Sequence, residues 1–149
     1  NKEAKHYIES YLAHYSGVDS YMKNVVEKAN ADGYVETMFG RRRNLPELTS
    51  SKHMIRAFGE RVARNMPIQG TAADIIKIAM IKVDERMKAE HLRARLVLQV
   101  HDELIVEAPQ DESMRVALIV QEEMENAVKM SVPLTADAAI GRTWYDAKG

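Results

Sequence analysis

The sequence predicts an α+β fold: an antiparallel hairpin or sheet packed with helices and preceded by a helical segment. Three observations carry this. Apolar residues recur at helical spacing along most of the 149 residues. Short branched runs on either side of turn residues mark hairpins, the clearest being Leu96-Val97-Leu98 and Leu104-Ile105-Val106. Strands and helices are mixed without a βαβ repeat.

The elements follow in order. Tyr7, Ile8, Tyr11, Leu12 and Tyr15 place an amphipathic helix over residues 3–15, ended by Gly17. The tyrosines at positions 7, 11 and 15 are expected to pack in the core. Val18, Met22, Val25, Val26 and Ala29 mark a second helix closed by Asp32-Gly33. Residues 34–45 read as a hairpin with Gly40-Arg41 at its turn. A polar loop at residues 49–51 leads into a helix over residues 52–65. Pro67 lacks a backbone donor and crowds the preceding turn, which predicts a kink or break. A nearly all-apolar, largely buried helix is expected over residues 71–88. After the second hairpin, Pro109 stops the strand and Asp111 is placed to cap a helix carrying Val116, Ile119, Val120, Met124, Ala127 and Val128. Pro133 ends it. Residues 134–140 alternate like a last strand, and residues 141–149 form a tail around Trp144.

The length is one domain's worth, and 46% hydrophobic residues suit a globular chain. The absence of cysteine removes disulfides and thiolate sites and is compatible with a reducing cytoplasm, the expected location. No apolar run is long enough to span a bilayer, so no membrane partner is expected. The first residue is Asn1 rather than Met, and the chain looks cut from something longer. Net charge is −1, but charge is uneven. Residues 41–64 hold seven Lys/Arg and two acids; residues 102–125 hold eight acids and one Arg. Phosphate contacts in one place and cations in another would suit this, as would two solvated faces.

Two constellations carry possible chemistry. His101-Asp102-Glu103 interrupts an apolar hairpin. A tight turn with Asp102 and Glu103 at its centre is poorly served by Glu103. A carboxylate on a rigid tip suits a hard divalent cation. Charged hairpin tips are also common, and spacing alone leaves both readings open. Arg61, Asn65 and Gln69 lie at i, i+4 and i+8 and form one polar stripe if the helix continues through Pro67. Such donors suit the acceptors of a DNA minor groove. Alternatively, Asn65 and Gln69 cap helix ends freed by Pro67. Arg41-Arg42-Arg43 suits phosphate contact or a solvated turn equally.

Val100-His101-Asp102-Glu103 resembles the third polymerase motif of the family A DNA polymerases, the bacterial DNA polymerase I group. Two stretches resemble that family in the same order: Gly33-Tyr34-Val35-Glu36-Thr37-Met38-Phe39-Gly40-Arg41-Arg42-Arg43, and Glu60-Arg61 through Asn65-Met66-Pro67-Ile68-Gln69-Gly70-Thr71-Ala72-Ala73-Asp74. The resemblance spans residues 2–148. It implies that residues 1–32 match the helical end of the fingers subdomain and residues 33–149 the C-terminal part of the palm. It implies a parent enzyme that extends a primer on a DNA template from deoxynucleoside triphosphates, using two Mg²⁺ ions. Asp102 then matches a catalytic metal ligand, and Glu103 a weaker, supporting acid. His101 matches a residue near the primer end, while Arg61, Asn65 and Gln69 match residues at the primer–template duplex. The implied partners are primer–template DNA, the nucleotides and the rest of the polymerase domain. The family's Asp-Tyr-Ser-like motif and its nucleotide-binding helix do not occur in this chain, so the chain alone is expected to be inactive. Ser16 stands where the family usually has proline. The rivals are a non-catalytic DNA-binding fragment, a single-subunit RNA polymerase and an unrelated structural domain. Glu103 speaks against the RNA polymerase, which usually has serine there, and the three ordered motifs speak against the unrelated domain.

Overall fold

The structure is a computed structural model and describes residues 2–148, residue 2 by its backbone only. It is an α+β arrangement of five α-helices, one 3-10 helix and two separate antiparallel hairpins among the described residues. The chain forms two compact units, residues 1–72 and 73–149.

In the first unit α1 (Lys2–His14) is followed by α2 (Ser16–Asp32), with the break at Tyr15. Gly17 therefore lies in the first turn of α2 instead of ending α1. The chain closes α2 with Gly33, whose φ of 79° suits a residue without Cβ and whose N–H donates to the Ala29 carbonyl at 2.9 Å. The expected hairpin follows: β1 (Tyr34–Glu36) pairs with β2 (Arg42–Asn44), Val35 opposite Arg43. Gly40 in its turn has φ 77°. Leu45 leads into a 3-10 helix (Pro46–Thr49) just ahead of the expected polar loop. Ala29, Val35, Leu45, Leu48 and Ala63 form this unit's core. The tyrosine stripe is not in it. Tyr7, Tyr11 and Tyr15 are 66%, 55% and 49% exposed, so periodicity here marks a face that this chain leaves uncovered.

Helix α3 (His53–Ala89) runs unbroken through Pro67. The expected break is absent because tertiary contacts brace that turn. The buried Thr71 hydroxyl donates to the Pro67 carbonyl at 2.5 Å and accepts from the Met38 backbone N–H at 3.0 Å. Arg41 donates to the Gly70 carbonyl at 2.8 Å. The β1–β2 turn thus sits directly on the helix. A Cβ on Gly70 would lie 2.7 Å from Thr37 Cγ2, so this close approach requires glycine. Beyond residue 71 α3 is less buried than expected: Ala79, Val83 and Met87 are buried, whereas Ile81 is 58% exposed.

In the second unit β3 (Arg95–Val100) and β4 (Glu103–Glu107) form the second hairpin. Val83 and Met87 of α3 pack with Val116 and Ile119 of α4 (Ser113–Glu125), and Leu96, Leu104 and Val106 cover them. Asp111 does not cap α4. It pairs with Arg93, as does Glu112, whose carboxylate also accepts the Arg93 backbone N–H at 2.9 Å. The helix ends at Glu125, well before Pro133, where Lys82 donates to the Asn126 and Ala127 carbonyls at 2.7 and 3.0 Å. Residues 134–140 form no strand, since a ladder needs a partner and no described strand offers one. The tail ends in α5 (Trp144–Ala147), closed by a reciprocal capping box between Thr143 and Asp146.

Candidate functional site

The apolar flanks bring Asp102 to the tip of the β3–β4 hairpin. Val100 pairs with Glu103, so the two-residue turn is His101-Asp102. This corrects the sequence reading, which placed Asp102 and Glu103 at the centre. Glu103 opens β4 in ordinary strand geometry, and the left-handed residue is His101, with φ 53°. A non-glycine residue there costs on the order of 1 kcal/mol and must be held by its surroundings. Part of that hold is Gln99, whose side-chain amide donates to the His101 carbonyl at 2.6 Å. The His101 ring has no hydrogen bond among the described residues, so the bland alternative of a histidine tied to nearby backbone does not apply. Val97 is an extra residue in the ladder between Leu96 and Leu98, a bulge that adds twist below the tip.

The acidic stretch separates once its partners are known. Glu107 pairs with Arg95, Asp111 and Glu112 with Arg93, and Glu122 and Glu123 with Arg86. Glu125 accepts the Ala136 backbone N–H at 3.2 Å. Glu103 faces Lys148 at 3.4 Å. Among these eight acids Asp102 alone has neither ion pair nor hydrogen bond among the described residues. It is exposed. The cations come from α3, the α3–β3 connection, β3 and the tail, so the strong negative run is mostly structural. Around Arg86 the pairing is dense: Glu90 bridges it to Arg115, whose hydrogen bonds hold the Glu90 carboxyl below its ordinary range. Glu123 and Glu122 in turn push the Arg86 guanidinium above its usual value. No cluster of three or more His, Asp or Glu able to hold a metal occurs among the described residues.

Arg61, Asn65 and Gln69 occupy successive turns of one continuous helix, and all three are exposed. The condition for a single polar stripe is therefore met. Asn65 and Gln69 cap nothing, because no helix end exists there, and neither side chain makes a hydrogen bond among the described residues. Arg61 lies over the Phe58 ring at 5.8 Å. In the neighbouring basic run, Arg42 pairs with Glu36 at 3.1 Å and lies over the Tyr34 ring, while Arg41 is committed to the Gly70 carbonyl. These arginines serve the hairpin first. Sequence reasoning missed Gln99, Gly70, Thr71 and Lys148. The last three act through contacts between segments far apart in the chain, which no local pattern encodes.

Comparison with known proteins places these features in a family. The model of DNA polymerase family A matches residues 1–146. DNA polymerase I of Bacillus caldotenax and that of Geobacillus stearothermophilus are each 54% identical to this chain over 147 residues, covering 99% of it. The chain spans 17% of the length of each of these relatives. A solved structure described as the POL domain of Pol1 from M. smegmatis in complex with DNA primer-template and dNTP superposes with a TM-score of 0.95. The identity is 47%, covering 99% of this chain and 26% of that one. Since the family model matches almost every residue, the chain belongs to DNA polymerase family A.

Proposed function

We propose that this chain supplies one catalytic carboxylate and part of the duplex-binding surface of a DNA-directed DNA polymerase. In this reading residues 1–32 are the end of the fingers, residues 33–149 are the C-terminal part of the palm, and the parent acts in the cytoplasm. The observation that carries it is Asp102, the one acid of its stretch without a partner among the described residues, on a hairpin tip held in place from below. Mg²⁺ takes oxygen ligands and keeps several waters, so one or two protein carboxylates suffice. An exposed, unpartnered Asp102 fits that demand as part of a ligand set. Two such ions, when bound, activate the primer 3′-hydroxyl and neutralise the triphosphate.

The remaining assignments are to binding. His101, whose ring makes no hydrogen bond among the described residues, positions the primer end. Arg61, Asn65 and Gln69 donate to minor-groove acceptors, which are alike for all base pairs, so they test pair shape without reading sequence. The relative solved with primer-template and dNTP supports DNA and nucleotides as partners. Glu103 serves in support, since it is already paired. The chain by itself is a DNA-binding segment without catalysis: a single free carboxylate does not hold two Mg²⁺ ions. Primer extension by the purified 149 residues should stay at background, and template-directed incorporation that depends on Asp102 would refute this.

The decisive test is Asp102→Asn in the intact polymerase. The shape is kept and no buried partner is orphaned, so fold and duplex affinity should hold. Single-turnover incorporation at saturating DNA and nucleotide should fall about a thousandfold, roughly 4 kcal/mol on the barrier. Glu103→Gln should cost distinctly less. An unchanged rate for Asp102→Asn removes the reading, and a larger loss at Glu103 assigns the wrong acid.

A further inference from the structure

The two neighbouring acids of the tip differ in one respect that their sequence positions do not explain: among the described residues Glu103 has a cation and Asp102 does not. The cation comes from the tail. Lys148 Nζ lies 3.4 Å from Glu103 Oε1 and 5.4 Å from the centre of the Trp144 ring, so the ammonium sits between a carboxylate and an aromatic face. The tail presenting it is closed on itself. Thr143 and Asp146 exchange hydrogen bonds at 3.1 and 3.2 Å, and the Lys148 N–H donates to the Trp144 carbonyl at 3.1 Å. Gly141 is packed so tightly against this turn that a Cβ would lie 2.5 Å from the Ala147 nitrogen. Lys148 is thus carried by a short, capped, glycine-packed turn instead of a loose end.

We propose that Lys148 is a positioning residue: it holds Glu103 in an ion pair and thereby leaves Asp102 as the only cation-binding carboxylate of the tip. The proposal rests on the reading of Asp102 above and adds a division of labour to it. Without Lys148, Glu103 would be a second free acid next to Asp102. A divalent ion would then bind the tip more tightly and in a second geometry. The pair is half exposed, so the effect is modest, at most about fivefold in affinity.

The test uses the intact polymerase bound to primer–template with a chain-terminated primer and no nucleotide. Mn²⁺ binding is read from the electron paramagnetic resonance of the free ion. Wild type is compared with Lys148→Met, Glu103→Gln and the double variant. Methionine keeps an apolar stem on the Trp144 ring while removing the charge, and Lys148→Gln is a second version should Met perturb the tail. Lys148→Met should tighten Mn²⁺ about threefold, and that gain should vanish in the Glu103→Gln background. Lys148→Arg, which keeps the charge, should match wild type. Equal tightening in both backgrounds would mean that Lys148 merely repels cations, and no tightening would mean that it does not restrain Glu103; either overturns the proposal. Asp102→Asn separates the two levels of inference. If it abolishes Mn²⁺ binding while Lys148→Met does nothing, the positioning role fails and the Asp102 reading stands. If Asp102→Asn leaves Mn²⁺ binding and rate unchanged, the underlying reading fails.

Discussion

Thr71→Val isolates the contact by which α3 survives its internal proline. The Thr71 side chain is buried at 8% exposure, and its hydroxyl makes two hydrogen bonds, one to the Pro67 carbonyl and one from the Met38 N–H. Valine keeps the branched shape and removes both. The Pro67 carbonyl retains its place in the helical ladder, so its loss is one net hydrogen bond, about 1 kcal/mol. The Met38 N–H loses its one acceptor among the described residues, which costs about as much again. Extra apolar burial offsets a little, leaving about 1–2 kcal/mol against the closed turn. Amide hydrogen exchange resolves this locally, because 1.4 kcal/mol is tenfold in an opening equilibrium. The Met38 amide should exchange about tenfold faster in Thr71→Val. The Arg41 amide, held by the Thr37 hydroxyl at 3.2 Å, is the internal reference. Thr71→Ser keeps the hydroxyl and should protect Met38 nearly as well as wild type. Unchanged Met38 exchange in Thr71→Val, or serine behaving like valine, would refute the account of how the helix is braced.

Two further outcomes follow from the same geometry. Asn65→Ala and Gln69→Ala should each weaken primer–template affinity about threefold to tenfold in the intact polymerase, without dependence on base sequence. Because both side chains are exposed and unbonded among the described residues, stability should change by less than about 0.5 kcal/mol; lost stability with unchanged duplex binding would contradict the stripe. Glu90 predicts a pH effect. Its carboxyl is held below the ordinary value of 4.5, first by Arg115. A group whose folded value is depressed stabilises the fold above its unfolded value and loses that contribution as pH falls through the folded one. The urea midpoint should therefore drop below pH 4.5 in wild type, and Glu90→Gln should flatten that drop; an identical acid profile for the two would reject the pairing as a source of stability.

Elements whose signals are local were legible from residues alone. Asp32-Gly33 ends α2 and Gly40 sits in the first turn because left-handed backbone favours glycine. Elements that depend on a partner were not. Pro67 reads as a break in any window of sequence, yet Met38, from outside the helix, bonds to Thr71 one turn beyond the proline. Residues 134–140 alternate as a strand does, but alternation describes the faces of a strand and not the neighbour it needs. The stripe of Tyr7, Tyr11 and Tyr15 is helical as read, and its exposure shows that periodicity identifies an apolar face without saying whether anything covers it.

The candidate site divides along the same line. The resemblance ranks Asp102 above Glu103, but the residues alone offer no physical reason for that order, since both are acids at one tip. Three-dimensional pairing ranks them. Turn geometry puts Asp102 in the loop and Glu103 in the strand, and Lys148 then occupies Glu103 alone. The same logic dissolves the acidic run as a site. Arg86, Arg93 and Arg95 take up most of its charge, and none of the three lies within the run itself. Charge density along a sequence therefore overstates the places where a cation could bind. What marks a binding carboxylate is an anion that the fold fixes in position and declines to pair. An unpaired acid on the surface costs little in water, but fixing one on a left-handed turn has a cost in backbone strain, which His101 bears. A strained residue next to a carboxylate with no partner among the described residues is the observation that supports the proposed role of Asp102.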